Sequence, residues 1–195
     1  SHVAVGFDFR FGRGRMGDAS RLASLGRALG FGVTIVEEVT DGGLKASSTA
    51  IRQALRAGEP ERAAEMLGHP WSVTALVEHG EKRGRTLGFP TANMHLGDII
   101  HPRHGVYAVR ARIDGETQWR PGVANFGRTP TTGLRDPLLE TVLFDFDGDL
   151  YGQSVEIAFI AFLRPEATFD TLDEMVTQMH QDVADAKARL SAAGA

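Results

Sequence analysis

Cysteine is absent from the 195 residues. That excludes a disulfide framework, thiolate catalysis and any Cys-ligated metal centre, and it suits a reducing compartment. Charge of one sign is not in excess either: 21 Lys and Arg against 25 Asp and Glu leave a net charge of −4. A general nucleic-acid binder is thereby disfavoured, and any basic loop is a local feature. No apolar run approaches the roughly 20 residues of a membrane span, and no signal-peptide pattern is present. A cytoplasmic protein without membrane partners is the expectation. Internal repeats and low-complexity segments are missing too. What remains, 42% hydrophobic and 24% charged, is the composition of an ordinary globular chain, with one domain or two small ones. Ser1-His2 reads as the residue of a cleaved tag and is set outside the fold. The strand-like Val3-Ala4-Val5 that follows at once suggests a piece of a larger protein.

The first third alternates strand and helix. Val3 to Phe11 is a strand candidate, and Ser20 to Leu29 a helix with Leu22, Leu25 and Leu29 on one face, stopped by Gly30. Phe31 to Val39 is β-branched. Ser48 caps a helix to Ala57 stopped by Gly58, and Pro60 opens another that ends at Gly68. Gly12-Arg13-Gly14-Arg15-Met16-Gly17 is a literal G-x-G-x-x-G with Glu37 about 20 residues on, so a dinucleotide-binding fragment must be weighed. Against it, Asp8 and Arg10 interrupt a strand that should be buried on both faces.

From Trp71 the period becomes two. Trp71, Val73, Ala75 and Val77 alternate with polar residues, as do Tyr107, Val109, Ala111 and Ile113. Asp114-Gly115 is a two-residue hairpin signal, with a return strand through Trp119 to about Val123. Val142, Phe144 and Phe146 are expected to share one strand face, turned by Asp147-Gly148-Asp149 into Tyr151, and Val155, Ile157 and Phe159 mark the last strand. Such short antiparallel strands predict a closed or nearly closed barrel. A helix follows, opened by the capping box Thr171-x-x-Glu174, with Leu172, Met175, Val176, Met179, Val183, Ala186 and Leu190 as its apolar stripe.

Between the first two barrel strands lies Gly80-Glu-Lys-Arg-Gly-Arg-Thr-Leu-Gly-Phe-Pro-Thr-Ala-Asn93. Its glycines let backbone N–H groups approach a ligand, and Lys82, Arg83 and Arg85 add positive charge. Thr91 and Asn93 supply hard oxygens two residues apart. These are the parts needed to hold a nucleotide triphosphate with Mg²⁺, although a solvated basic loop has the same composition and no Walker A spacing is present.

Gly-Arg-x-Leu-Gly-Phe-Pro-Thr-Ala-Asn resembles the signature of the riboflavin kinase family. Leu139-Glu140-Thr141, Phe144-Asp145-Phe146, Asp149-Leu150-Tyr151-Gly152 and Leu163-Arg164-Pro165-Glu166 follow in family order. Upstream, Gly6-Phe7-Asp8-Phe9-Arg10-Phe11-Gly12 and Ser47-Ser48-Thr49-Ala50-Ile51-Arg52 resemble the end of the adenylyltransferase domain of bacterial bifunctional FAD synthetases. The resemblance implies a truncated α/β nucleotidyltransferase-like part over 1–69. It implies a six-stranded antiparallel Greek-key barrel with a C-terminal helix over 70–195.

It further implies phosphorylation of riboflavin to FMN by ATP, with Mg²⁺. The roles it carries over are Thr91 and Asn93 as metal and phosphate oxygens, and Gly80, Arg85, Leu143, Asp145 and Tyr151 as nucleotide contacts. Glu140 is the catalytic base, and Arg164 and Phe169 grip the flavin. Two positions depart from the family: Val142 stands where many members have His, and Ala167 where a basic residue is common. The His-x-Gly-His-type motif of the adenylyltransferase is absent, so the residues present are not expected to make FAD alone. His79, His95, His101 and His104 match no zinc spacing and are expected as loop residues. A non-catalytic flavin or nucleotide module and a small-barrel nucleic-acid binder are the competing classes. No oligomeric state is implied.

Overall fold

The computed structural model describes residues 1–37, 40–41, 44–45, 47–79, 91–127 and 137–194. Gly80 and Arg85 lie outside the described residues. The chain forms two compact units, Ser1–Ser47 and Ser48–Ala195.

In the first unit β1 (His2–Gly6) does not run on to Phe11 as the sequence suggests. The backbone turns at Gly6, whose carbonyl accepts from Phe9 N–H at 3.1 Å, and resumes as β2 (Arg10–Phe11). Beyond it β3 (Gly17–Asp18) pairs back on β2, and α1 (Ala19–Leu29) follows. Asp18 caps α1, its Oδ1 accepting from Arg21 N–H at 2.8 Å, and Gly30 ends the helix with φ 76°. β4 (Gly32–Val36) lies parallel to β1. β5 (Thr40–Asp41) and β6 (Leu44–Lys45) form a further small antiparallel pair. His2 belongs to the fold after all: it pairs with Gly32 in register, and its Nε2 lies 2.8 Å from Thr34 Oγ1. The G-x-G-x-x-G stretch loses its dinucleotide geometry here. Its third glycine sits in β3 against the Phe11 ring rather than in the first turn of a helix.

The second unit opens with α2 (Ser48–Ala57) and α3 (Pro60–Leu67), which start and stop where serine, proline and glycine predict. Both helices pack within this unit. Leu55 and Ala63 are buried in a cluster with Trp71 and Ile100, and Arg103 N–H donates to Leu55 O at 2.9 Å. The strands are β7 (Ser72–Leu76), β8 (Ala92–His95), β9 (Gly105–Ile113), β10 (Arg120–Gly127), β11 (Leu138–Leu143) and β12 (Ser154–Arg164), followed by α4 (Leu172–Ala192). Their order is β7-β12-β9-β10-β11-β8, every neighbouring pair antiparallel. β12 returns beside β9, the first of three consecutive strands, which makes the Greek key. A bridge between Glu78 and Asn93, with Glu78 N–H donating to Asn93 O at 2.8 Å, brings the two edges together. The barrel is nearly closed.

Period-two alternation sends Met94, Tyr107, Val109, Phe126, Leu139, Ile157 and Phe159 into the interior. Tyr107 donates its hydroxyl to Arg103 O at 2.5 Å. Burial pushes that phenol far above its usual range, opposed by the Arg103 charge. Thr141 is 1% exposed, and its Oγ1 has no hydrogen-bond partner among the described residues. Thr141→Val keeps the shape and removes the unsatisfied hydroxyl. It should raise stability by about 1 kcal/mol, a gain of roughly 2–4 °C in the melting temperature. A lower melting temperature would show that the hydroxyl is doing something the valine cannot.

Two strand ends differ from the sequence expectation. β11 stops at Leu143 because Asp145 takes a left-handed φ of 53°. Phe144 then joins the face under α4 while Phe146 packs on the barrel interior, so the three aromatic-strand positions do not share a face. At Asp114-Gly115 the turn closes through Glu116 N–H to Ile113 O at 3.0 Å, but β10 begins only at Arg120. Thr171 caps α4 by accepting from Glu174 N–H at 3.2 Å. Of the helix stripe, Ala186 and Leu190 are buried on Val106, Ala108 and Val123, whereas Leu172 is 57% exposed. An acid, Asp182, takes one of the buried places at 5% exposure.

Candidate functional site

Glu140 lies directly opposite Asn93 on one side and Asn125 on the other. The row continues to Val106 of β9 and Arg164 of β12, and Glu78 bridges Asn93 at its other end. Directly opposed residues of antiparallel strands share a face, with Cβ atoms about 5 Å apart. Since Met94, Leu139, Thr141 and Phe126 point inward, the row faces out of the barrel. Barrel register therefore sets Asn93 directly beside Glu140, two residues that the sequence singled out at distant positions, while Arg164 lies three strands from Glu140 in the same row, about 14 Å away at the usual strand spacing.

Each is held by its strand. Asn93 is 6% exposed, and its Nδ2 donates back to Thr91 O at 3.4 Å, which leaves Oδ1 as an oxygen donor beside the Glu140 carboxylate. Thr91, immediately before β8, is half-buried. Glu140 is half-buried on a strand paired along both edges, by β10 and β8. Val142, two residues on, faces the same way and packs with Val123 and Phe144 under α4. An apolar residue suits that cover.

The nucleotide candidates occupy the neighbouring end. The Tyr151 ring lies against His79, centroids 4.0 Å apart and planes tilted by 35°, and the Tyr151 N–H donates to Asp149 Oδ1 at 3.0 Å. Gly152 N–H reaches Val77 O at 2.9 Å, tying this turn to the strand end that leads through Glu78 to Asn93. Asp149 is thus a turn former. Leu143 is 8% exposed and belongs to the barrel core, while Asp145 is exposed.

At the flavin candidates the side chains are already engaged. Arg164 makes a bidentate pair with Asp182, Nε to Oδ1 at 2.7 Å and Nη2 to Oδ2 at 2.6 Å, and its Nη1 donates to Pro165 O at 2.9 Å. Gln178 donates a further bond to Asp182 Oδ1 at 3.0 Å. The guanidinium carbon lies 6.0 Å from the Phe169 ring centroid. Three of the five Arg164 N–H groups are thus engaged within the protein. His104 and His101 set their rings edge-on to Phe126, and His104 Nδ1 lies 3.4 Å from Glu166 Oε2.

Glu166, quoted above within a family motif, sets its carboxylate over Gly127, and two further groups beside these candidates, Asn125 and Asp182, carried no local signal. Only strand register and helix docking reveal them.

The arrangement has relatives. A profile described as riboflavin kinase matches residues 67–190, and one described as FAD synthetase matches residues 1–50. The bifunctional riboflavin kinase/FMN adenylyltransferase of Escherichia coli (strain K12) is 44% identical over 92% of this chain and 57% of its own length. The protein of the same name from Listeria monocytogenes is 41% identical over 96% of this chain and 59% of its own. The chain thus spans under two thirds of the length of these relatives. Among solved structures, a Streptococcus pneumoniae chain described as a macrolide-efflux protein matches with a TM-score of 0.75 and 36% identity, over 91% of this chain and 57% of its own. No described helix here is long and apolar enough to cross a membrane. With the profile covering the whole Greek-key barrel and most of α4, the chain belongs to the riboflavin kinase family.

Proposed function

We propose that this chain transfers the terminal phosphoryl group of ATP to the terminal ribityl hydroxyl of riboflavin, giving FMN and ADP. The observation that carries it is the outward row in which Glu140 stands between Asn93 and Asn125, with Arg164 two strands further along. Phosphoryl transfer to an alcohol needs a carboxylate beside the attacking hydroxyl and neutralised phosphate charge next to it. Glu140 takes the hydroxyl proton. Thr91 and Asn93 hold the phosphate end, and Tyr151 with Asp145 and Leu143 bounds the nucleotide. Gly80 and Arg85, which lie outside the described residues, keep the phosphate-contact roles that the family resemblance implies. Phe169 packs against the flavin ring system, with Arg164 behind it.

The donor set fits Mg²⁺. Thr91 and Asn93 offer neutral hard oxygens, the Asn93 amide nitrogen is turned away to Thr91 O, and the Glu140 carboxylate is adjacent. When bound, the cation neutralises phosphate charge. A first test of this assignment is Thr91→Ala: MgADP binding should weaken about tenfold while metal-free ADP binding stays nearly unchanged, by titration with and without chelator. Equal losses in both would make Thr91 a loop-structure residue only.

ADP release separates the kinase from a non-catalytic flavin or nucleotide module. A kinase mixed with MgATP releases ADP stoichiometrically when riboflavin is added, and a module releases none. The FMN adenylyltransferase activity in the relatives' names we assign to the whole protein. Asp8, Arg10, Ser48 and Arg52 alone lack the ATP-activating histidines needed to stabilise charge on an α-phosphate.

A further inference from the structure

Asn125 is an awkward residue for its place. Asparagine is depleted in strands, and β10 is central, with β9 and β11 on its two edges, so this residue serves as neither cap nor turn. Four positions on the sheet surround it. Along the same face of β10, one neighbour is Val123, 8% exposed in the apolar cluster under α4. The other is Gly127, where the space of a side chain is filled by the Glu166 carboxylate, itself paired with His104 at 3.4 Å. Across the strands stand Val106 on one side and Glu140 on the other. Of these four neighbours, two are apolar and one carries a carboxylate already paired with His104. Glu140 is the fourth.

We propose that Asn125 is a positioning residue for Glu140: its amide, directly opposite on β10, is placed to donate to the carboxylate from the side opposite Asn93 and to steady it toward the face where a substrate hydroxyl arrives. The inference rests on Glu140 being the base. A neighbouring amide with a fixed backbone narrows the rotamers that a half-buried carboxylate keeps. Orientation of this kind is worth a measurable part of a catalytic barrier. Asn93 and Asn125 then divide the work, one turned toward the phosphate end and the other toward the base.

The test is a double-mutant cycle read in steady-state kinetics, with melting temperatures recorded alongside. Asn125→Ala should lower kcat about tenfold, with KM for riboflavin and ATP changed less than about twofold. In a Glu140→Gln background the same substitution should change kcat less than about twofold, because the group it acts through is gone. Asn125→Ser, which retains a donor, should recover part of the loss, and it carries the test if the alanine variant does not fold. Equal losses with and without Glu140 would overturn the proposal, as would a loss that disappears in a Glu166→Gln background. If Glu140→Gln alone kept full activity, the base assignment itself would fall, a result separate from either.

Discussion

Replacing Glu140 with alanine is expected to cut FMN formation by about 10²-fold or more, the scale of a lost general base, while riboflavin and MgADP still bind. The expectation follows from where the carboxylate stands. Glu140 belongs to a central strand with both edges paired, so truncating its side chain leaves the barrel ladder intact. Its inward neighbours Leu139 and Thr141 are buried and carry the packing, so folding should be little affected. The oxygens at Thr91 and Asn93 remain, and so do the flavin candidates. Binding and turnover therefore separate in this variant. The binding constants come from flavin fluorescence and nucleotide titration, the rate from FMN accumulation. An unchanged rate would remove Glu140 from the chemistry, and a parallel loss of binding would make it a ligand contact instead.

The largest effect on stability is expected at Asp182. Its side chain is 7% exposed and takes both near nitrogens of Arg164 at 2.6–2.7 Å, while Gln178 fills a further acceptor position. Removing one partner of a buried pair leaves the other charge uncompensated, at about 3–5 kcal/mol. Arg164 is 23% exposed, so water recovers some of that cost and the lower figure applies. Asp182→Ala should therefore lower the melting temperature of the barrel unit by roughly 6–12 °C. It should also loosen α4 from β12, since the pair joins the helix to the strand that carries Arg164. A drop of under about 2 °C would put this pair with ordinary surface ion pairs. If Phe169 and Arg164 hold the flavin, riboflavin affinity should weaken in the same variant, whereas ATP affinity should not.

What could be read from the sequence is what local rules control. Pro60 and Gly68 bound α3, Thr171 caps α4, and alternation from Trp71 marks β7 because each depends on neighbours within a turn or a strand. Strand length was harder. Ending the return strand near Val123 left Asn125 outside it, and with that residue went the register that sets it against Glu140. Asp182 was illegible for a different reason: helical periodicity treats an acid as surface, and only the arrival of Arg164 from β12 makes burial affordable. In the first unit Phe7, Met16, Leu29 and Val36 remain exposed, and β1 and β4 form only a two-stranded parallel pair. Parallel strands are ordinarily covered on both faces. The family motifs there are legible as sequence, whereas among the described residues the parallel pairing is that of β1 with β4.

The central claim, that the row around Glu140 is a phosphoryl-transfer site acting on a flavin alcohol, is tested most directly by following the label of γ-³²P-ATP. With riboflavin and Mg²⁺ present, the protein should move the label into FMN, separated by chromatography, in step with ADP formation. Label that appears only as inorganic phosphate, or stays in ATP with folded protein and bound riboflavin, would contradict it.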